Sequence, residues 1–280
     1  MKGCICLDID GTITEDLFYV PEAVIECFES LYSKGWQFLF STGRPYAFAS
    51  KLFHNVKFPF FLSLQNGADL IQMPEKKLLS KEHLSASFIP VLDEIYKSLE
   101  EDYLIYAGIE KGDFCYYRPH RFSSKMLEHL EVIQSVVSES WIGLEEFSFP
   151  SGASFPLIKG VGSKDQMEKL FKKLQPFKEV HSTCILDPLS KSGAYLNLIT
   201  SEKATKGEII KKMRKLFPSD SFFIAAGDDV NDISMLKEAD FAIVMKTAPQ
   251  SLFPLADLLA EPAKDLGIMQ ALWTATGEKP

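Results

Sequence analysis

Short apolar runs that each end at a chemically active residue constrain this chain more than any other feature. Gly3 to Ile9 reads GCICLDI and leads to Asp8, Asp10 and Gly11; Trp36 to Phe40 leads into Ser41-Thr42-Gly43-Arg44; Phe60 to Leu64 ends at Asn66-Gly67. Tyr195 to Ile199, Phe222 to Ala226 and Phe241 to Met245 repeat the pattern, and Asp228 follows the second of these. Runs this short and predominantly apolar suit strands buried on both faces. Helical segments lie between them. Pro21 opens one and Gly35 closes it, Pro45 starts another through about His54, and Gly207 to Leu216 and Asp229 to Lys237 read as two more. The alternation predicts an α/β fold with a doubly wound, parallel-sheet (Rossmann-like) core. Ligands of such sheets sit outside the carboxyl ends of the strands, where Asp8, Asp10, Thr42 and Asp228 all fall.

From about His83 to Pro188 the texture changes. Aromatic residues (Tyr103, Tyr106, Phe114, Tyr116, Tyr117) and punctuation around Pro150-Ser151-Gly152 predict an inserted α+β cap domain. Two or three helices, near 87–101, 124–135 and 164–174, and four or so strands are expected there. The expected divisions are 1–82 and 189–280 for the two core segments and 83–188 for the insert. A chain of 280 residues accommodates two domains, at about 150 residues each.

Charge and cysteine usage narrow the function. Lys and Arg number 30 against 38 Asp and Glu, a net charge of −8, so the basic excess that a nucleic-acid surface needs is missing. No apolar run in the sequence approaches the about 18 residues of a membrane span, and the acids at Asp8 and Asp10 do not suit a signal peptide. The five scattered cysteines fit reduced thiols in a cytoplasmic protein. Cys4-Ile5-Cys6 lacks zinc-knuckle spacing and reads as part of a buried strand.

Asp8-Ile9-Asp10-Gly11-Thr12 puts two carboxylates at one strand end, and Gly11 permits a turn few residues tolerate. Gly227-Asp228-Asp229-Val230-Asn231-Asp232 is a second acidic strand-to-helix junction. Helix capping accounts for Asp229, but not for the whole cluster. If the two strands are neighbours, their carboxylates repel one another unless a cation sits among them. Oxygen-only donors favour Mg²⁺, and no histidine is near in sequence to suggest zinc. Ser41-Thr42-Gly43-Arg44 offers a hydroxyl and backbone N–H groups at a helix start, which suits a phosphate or a simple cap. Lys206, just before another helix, can neutralise a phosphoryl oxygen.

Taken in order, these four elements resemble the motifs of the haloacid dehalogenase superfamily. Asp8-x-Asp10-Gly11-Thr12 is similar to its first motif, Thr42-Gly43-Arg44 to its second, Lys206-Gly207 to its third and Gly227-Asp228-Asp229-x-Asn231-Asp232 to its fourth. The insert between the second and third motifs, Asn66-Gly67-Ala68 and Asp265-Leu266-Gly267-Ile268 resemble the Cof-type branch, although Asp229 stands where that branch often has Asn. The resemblance implies a Mg²⁺-dependent phosphatase of a small phosphorylated metabolite, covered by its cap. It implies Asp8 as nucleophile and Asp10 as acid and base, with Thr42, Gly43 and Lys206 on the phosphate. It further implies Mg²⁺ at Asp8, the Asp10 carbonyl and Asp228, with Asp232 beside them, and Asn231 orienting Lys206 or the acids. Arg44 is left between a substrate contact and a structural role. Arg118-Pro119-His120-Arg121 is left between a second anion contact and a solvated loop. A phosphomutase and a catalytically silent binding protein are the alternative readings.

Overall fold

The computed structural model describes residues 2–137, 140–187, 189–190 and 193–279. In chain order the first elements are β1 (Gly3–Asp8), α1 (Glu22–Ser33), β2 (Trp36–Ser41), α2 (Tyr46–Ala49), β3 (Phe60–Leu64), β4 (Asp69–Met73) and β5 (Lys77–Lys81). There follow β6 (Leu84–Ser85), α3 (Ile89–Tyr96), β7 (Tyr103–Tyr106), β8 (Cys115–Tyr117), α4 (Ser124–Val137), β9 (Trp141–Gly143) and β10 (Ser154–Phe155). Next come β11 (Leu157–Gly162), α5 (Lys164–Leu174), β12 (Val180–Leu186) and β13 (Tyr195–Ser201). The chain ends with α6 (Lys206–Leu216), β14 (Phe222–Gly227), α7 (Ile233–Glu238), β15 (Phe241–Met245), β16 (Leu258–Ala260) and α8 (Gly267–Thr276).

These elements form two compact units. The first comprises residues 1–44, 49–80 and 205–280 and is built on an eight-stranded sheet, β16-β15-β14-β1-β2-β3-β4-β5. From β16 to β3 all neighbours are parallel, and β4 turns back antiparallel on β3. Every residue of β1 is buried, as a central strand covered on both faces must be. On one face Cys4, Cys6, Leu39, Phe223, Ala225 and Val244 pack against Ile209, Ile210 and Met213 of α6 and Met235 and Leu236 of α7. On the other, Phe28 of α1 lies 5.0 Å from Phe38 and 5.5 Å from Phe40, ring centre to ring centre. Helices on both faces of a largely parallel sheet make the doubly wound core expected from the sequence.

The second unit comprises residues 45–48 and 81–204. Its six-stranded sheet runs β12-β13-β11-β7-β8-β9, antiparallel except for the β8–β9 pair. α3 and α5 cover one face through Leu92, Tyr96, Met167 and Leu170, which pack on Tyr103, Ile105, Ile158 and Ile199. β13 corrects the sequence reading. Tyr195 to Ile199 is no strand of the parallel core; it lies antiparallel between β11 and β12, and residues 189–204 group with the insert. Leu196 to Thr200 are all buried in this antiparallel strand, so its apolar run looks the same as that of a parallel core strand.

Arg118 is also resolved here, and in neither of the two ways left open. It is fully buried, its Nε and Nη2 2.7 Å from the two oxygens of Asp102, with Nη2 also 2.8 Å from Asp93 Oδ1. The guanidinium lies over the rings of Phe147 and Tyr103, at 4.1 Å and 5.1 Å. It is a packed ion-pair core of the insert.

Candidate active site

The site grows from the alternation of β1. Cys4 and Cys6 point into the apolar cluster beneath α6, and a period of two turns the Asp8 side chain to that same face. α6 starts above it, with the Thr205 hydroxyl accepting a hydrogen bond from Glu208 N at 3.2 Å as the helix cap. Lys206 in the first turn is therefore carried onto Asp8. Its ammonium, 1% exposed, donates to Asp8 Oδ1 and, at 2.6 Å, to Asp232 Oδ1. Burial by itself would lower the Lys206 ammonium, but Asp232 and Asp8 together push it above its ordinary value.

β14 is the parallel neighbour of β1, so its following turn brings the second acidic cluster alongside. Gly11, at φ +80°, sits so close that an added Cβ would run into the Asp228 carboxylate; only glycine meets both demands. Thr12 Oγ1 donates to Asp228 Oδ1 at 3.2 Å. Asp232 ties the turn together, its Oδ2 accepting from the backbone N–H of Asp228 at 3.0 Å and of Asp229 at 3.1 Å. Asp229 caps this turn, accepting from Val230 N at 2.7 Å.

One carboxylate oxygen each from Asp8, Asp228 and Asp232 lies within 4.8 Å of the others. Burial raises the Asp8 carboxyl well above its usual range, with Asp232, Asp228 and Asp10 adding to the rise and Lys206 opposing it. Burial, then Asp232, pushes Asp228 up from 3.8 to about 7. One lysine thus leaves this cluster short of positive charge, and its donors are all oxygen. That combination fits a hard divalent cation such as Mg²⁺. Asp8 and Asp228 have the freer oxygens. Asp232 already uses both of its own, one on Lys206 and one on the turn.

The Asp10 carboxylate is outside that trio and faces Arg44. Arg44 Nε donates to Asp10 Oδ2 at 2.9 Å and Nη2 to Oδ1, while Nη1 donates to Leu17 O at 2.6 Å. Thr42 is buried and follows Ser41, the register partner of Asp8. Its hydroxyl accepts from Arg44 N at 3.1 Å, the cap-like role weighed from the sequence. Gly43 borders Asn66, whose Oδ1 would be 3.4 Å from an added Cβ. Asn231 Nδ2 donates to Asn66 Oδ1 at 3.4 Å, while Lys206 hydrogen-bonds Asp8 and Asp232.

Sequence reasoning gave no role to Thr12 or to the Gln65-Asn66 pair. Both members of that pair have positive φ, 51° and 59°, and the N–H groups of Gln65 and Asn66 donate to the carbonyls of Arg44 and Thr42 at 3.2 Å and 2.9 Å. They clamp the Thr42–Arg44 loop. Asn tolerates left-handed backbone and was a usable signal; Gln at φ 51° was not.

Comparison with known proteins identifies chains of similar sequence and fold. A phosphatase of 5-amino-6-(5-phospho-D-ribitylamino)uracil from Bacillus subtilis, YcsE, is 21% identical over 274 residues, covering 96% of this chain and 93% of that protein. A haloacid dehalogenase-like hydrolase structure from B. subtilis superposes with a TM-score of 0.76 at 19% identity, covering 97% of this chain and 99% of the other. The subclass IIB sugar phosphatase BT4131 superposes with a TM-score of 0.74 at 18% identity, covering 98% and 99%. The family model of haloacid dehalogenase-like hydrolases matches residues 5–272, and the chain belongs to that family.

Proposed function

We propose that this hydrolase is a Mg²⁺-dependent phosphatase acting on a small phosphorylated metabolite, a sugar phosphate or similar, through an aspartyl-phosphate on Asp8. The observation that carries the reading is Lys206, buried and hydrogen-bonded to both Asp8 and Asp232 at the centre of a three-carboxylate cluster. A carboxylate held at a fixed position beside a buried ammonium is oriented to attack an electron-poor centre. The names of the Bacillus phosphatase and of the subclass IIB sugar phosphatase support a small phosphorylated substrate. The five free cysteines support a reducing, cytoplasmic setting.

In this reading an Asp8 oxygen bonds to phosphorus as the bond from phosphorus to the alcohol oxygen breaks, and Asp10 gives its proton to the leaving oxygen. Water then attacks the same phosphorus and releases Asp8, returning a proton to Asp10. Lys206, the Thr42 hydroxyl and the Gly43 N–H hold the phosphoryl oxygens. Asp8, Asp228 and the Asp10 carbonyl would hold Mg²⁺, which would supply positive charge against the phosphoryl oxygens.

The test is release of inorganic phosphate from a panel of phosphorylated metabolites and p-nitrophenyl phosphate, with and without Mg²⁺. Metal-dependent release that falls at least 10³-fold in Asp8→Asn is expected, on the scale of losing a nucleophile. Unchanged release by Asp8→Asn, or phosphate retained on an isomerised sugar, contradicts the proposal.

A further inference from the structure

Arg44 is a site residue whose part the phosphatase reading leaves unassigned, and its surroundings are specific. It follows the Thr42-Gly43 loop and its side chain is 6% exposed. Its main chain is fixed at both ends, with N donating to the Thr42 hydroxyl at 3.1 Å and O accepting from Gln65 N at 3.2 Å. Its side chain spends Nε and Nη2 on the two oxygens of Asp10, and Nη1 on the Leu17 carbonyl at 2.6 Å. The Asp10 side chain is 50% exposed. A short side chain half in water on a tight turn has several rotamers open to it, and a planar fork that meets both oxygens selects one.

We propose that Arg44 is a positioning residue: it aims the Asp10 carboxylate at the oxygen that enters or leaves phosphorus, and it acts through Asp10 rather than on the phosphoryl group. This rests on the phosphatase reading above and adds to it the rigid backing that proton transfer requires. Proton transfer contributes only when the group stands within hydrogen-bond reach of the reacting oxygen, and a small misplacement forfeits much of it. Nη1 also joins the loop after β2 to the Leu17 carbonyl.

The experiment is a double-mutant cycle with Arg44→Gln, Asp10→Asn and the double variant, each assayed on p-nitrophenyl phosphate and on an alkyl phosphate monoester. An alkoxide leaves poorly without a proton, whereas nitrophenolate leaves unaided. Arg44→Gln is expected to lower kcat for the alkyl ester about 10- to 100-fold, and to lower formation of the phosphoenzyme from the aryl ester less than 3-fold. In the Asp10→Asn background the same substitution should change kcat less than 3-fold. KM should stay within 3-fold throughout. Arg44→Lys, which keeps the charge and loses the fork, should behave like Arg44→Gln, and it keeps the test open if the glutamine variant folds poorly. Equal losses on both esters, a full additional loss in the Asp10→Asn background, or an effect confined to KM overturns the proposal. Wild-type inactivity on every monoester would instead contradict the phosphatase reading itself.

Discussion

Lys206 is enclosed by acids, and removing it shows what the cluster costs. Lys206→Met leaves Asp8, Asp228 and Asp232 facing one another with no cation from the protein. Breaking a buried pair by deleting one partner typically costs about 3–5 kcal/mol. We expect that loss in urea unfolding at pH 7 without metal, and a smaller loss at pH 5, because Asp8 and Asp228 bind protons more readily than ordinary carboxyls. Equal stability of variant and wild type at pH 7 would deny that the ammonium neutralises this cluster. At this scale the sequence was informative about acids and less so about their supports. Asp8, Asp228 and Lys206 were legible because each closes an apolar run or opens a helix. The Arg44–Asp10 fork was not, because a bidentate contact between residues 34 apart depends on side-chain directions that spacing does not encode. The Asn231–Asn66 bond was hidden for the same reason, at a separation of 165 residues.

Elements obey the same division between local and distant causes. β1, β2, β3, β14 and β15 were legible as buried runs, and α6 through its start at Lys206. β4 and β5 escaped notice because Asp69–Met73 and Lys77–Lys81 form the antiparallel edge of the sheet and carry polar residues. β13 was seen but placed in the wrong sheet, since its buried run reads like that of a core strand while its ladder partners, β11 and β12, are set by distant pairing. The insert's own stability turns on Arg118. Burial raises Asp102 while Arg118 opposes the rise, so Arg118→Met strands an acid in the interior of this unit. A loss of about 3–5 kcal/mol is expected, appearing as faster amide exchange in residues 81–137 and 140–187 with little change in β1 and β14. Uniform exchange across both units would contradict an insert stabilised by its own core.

For the molecule as a whole, the acidic cluster couples folding to metal and pH. Asp228 is raised from 3.8 to about 7 and Asp8 moves in the same direction. The folded chain therefore holds these protons more tightly than the unfolded chain. The stability they contribute is present below about pH 4 and is lost as pH rises toward 7. Without divalent metal, Tm should fall over that interval for this reason. At pH 7.5, Mg²⁺ at about 100 times its Kd adds about 2.7 kcal/mol, which raises Tm by about 5 °C for a chain of 280 residues. The rise should vanish in Asp228→Asn; a rise that persists there would place the ion elsewhere. Among the described residues no helix is long and apolar enough to cross a membrane.

The most direct measurement is chemical trapping of the nucleophile. The enzyme is quenched with acid during turnover of a phosphate monoester in Mg²⁺, reduced with borohydride, digested and analysed by mass spectrometry. The account predicts that position 8 is converted from aspartate to homoserine, the product of reducing an acyl phosphate, with no such change in Asp8→Asn. Steady phosphate release with position 8 unmodified, or the modification at another acid, would contradict it.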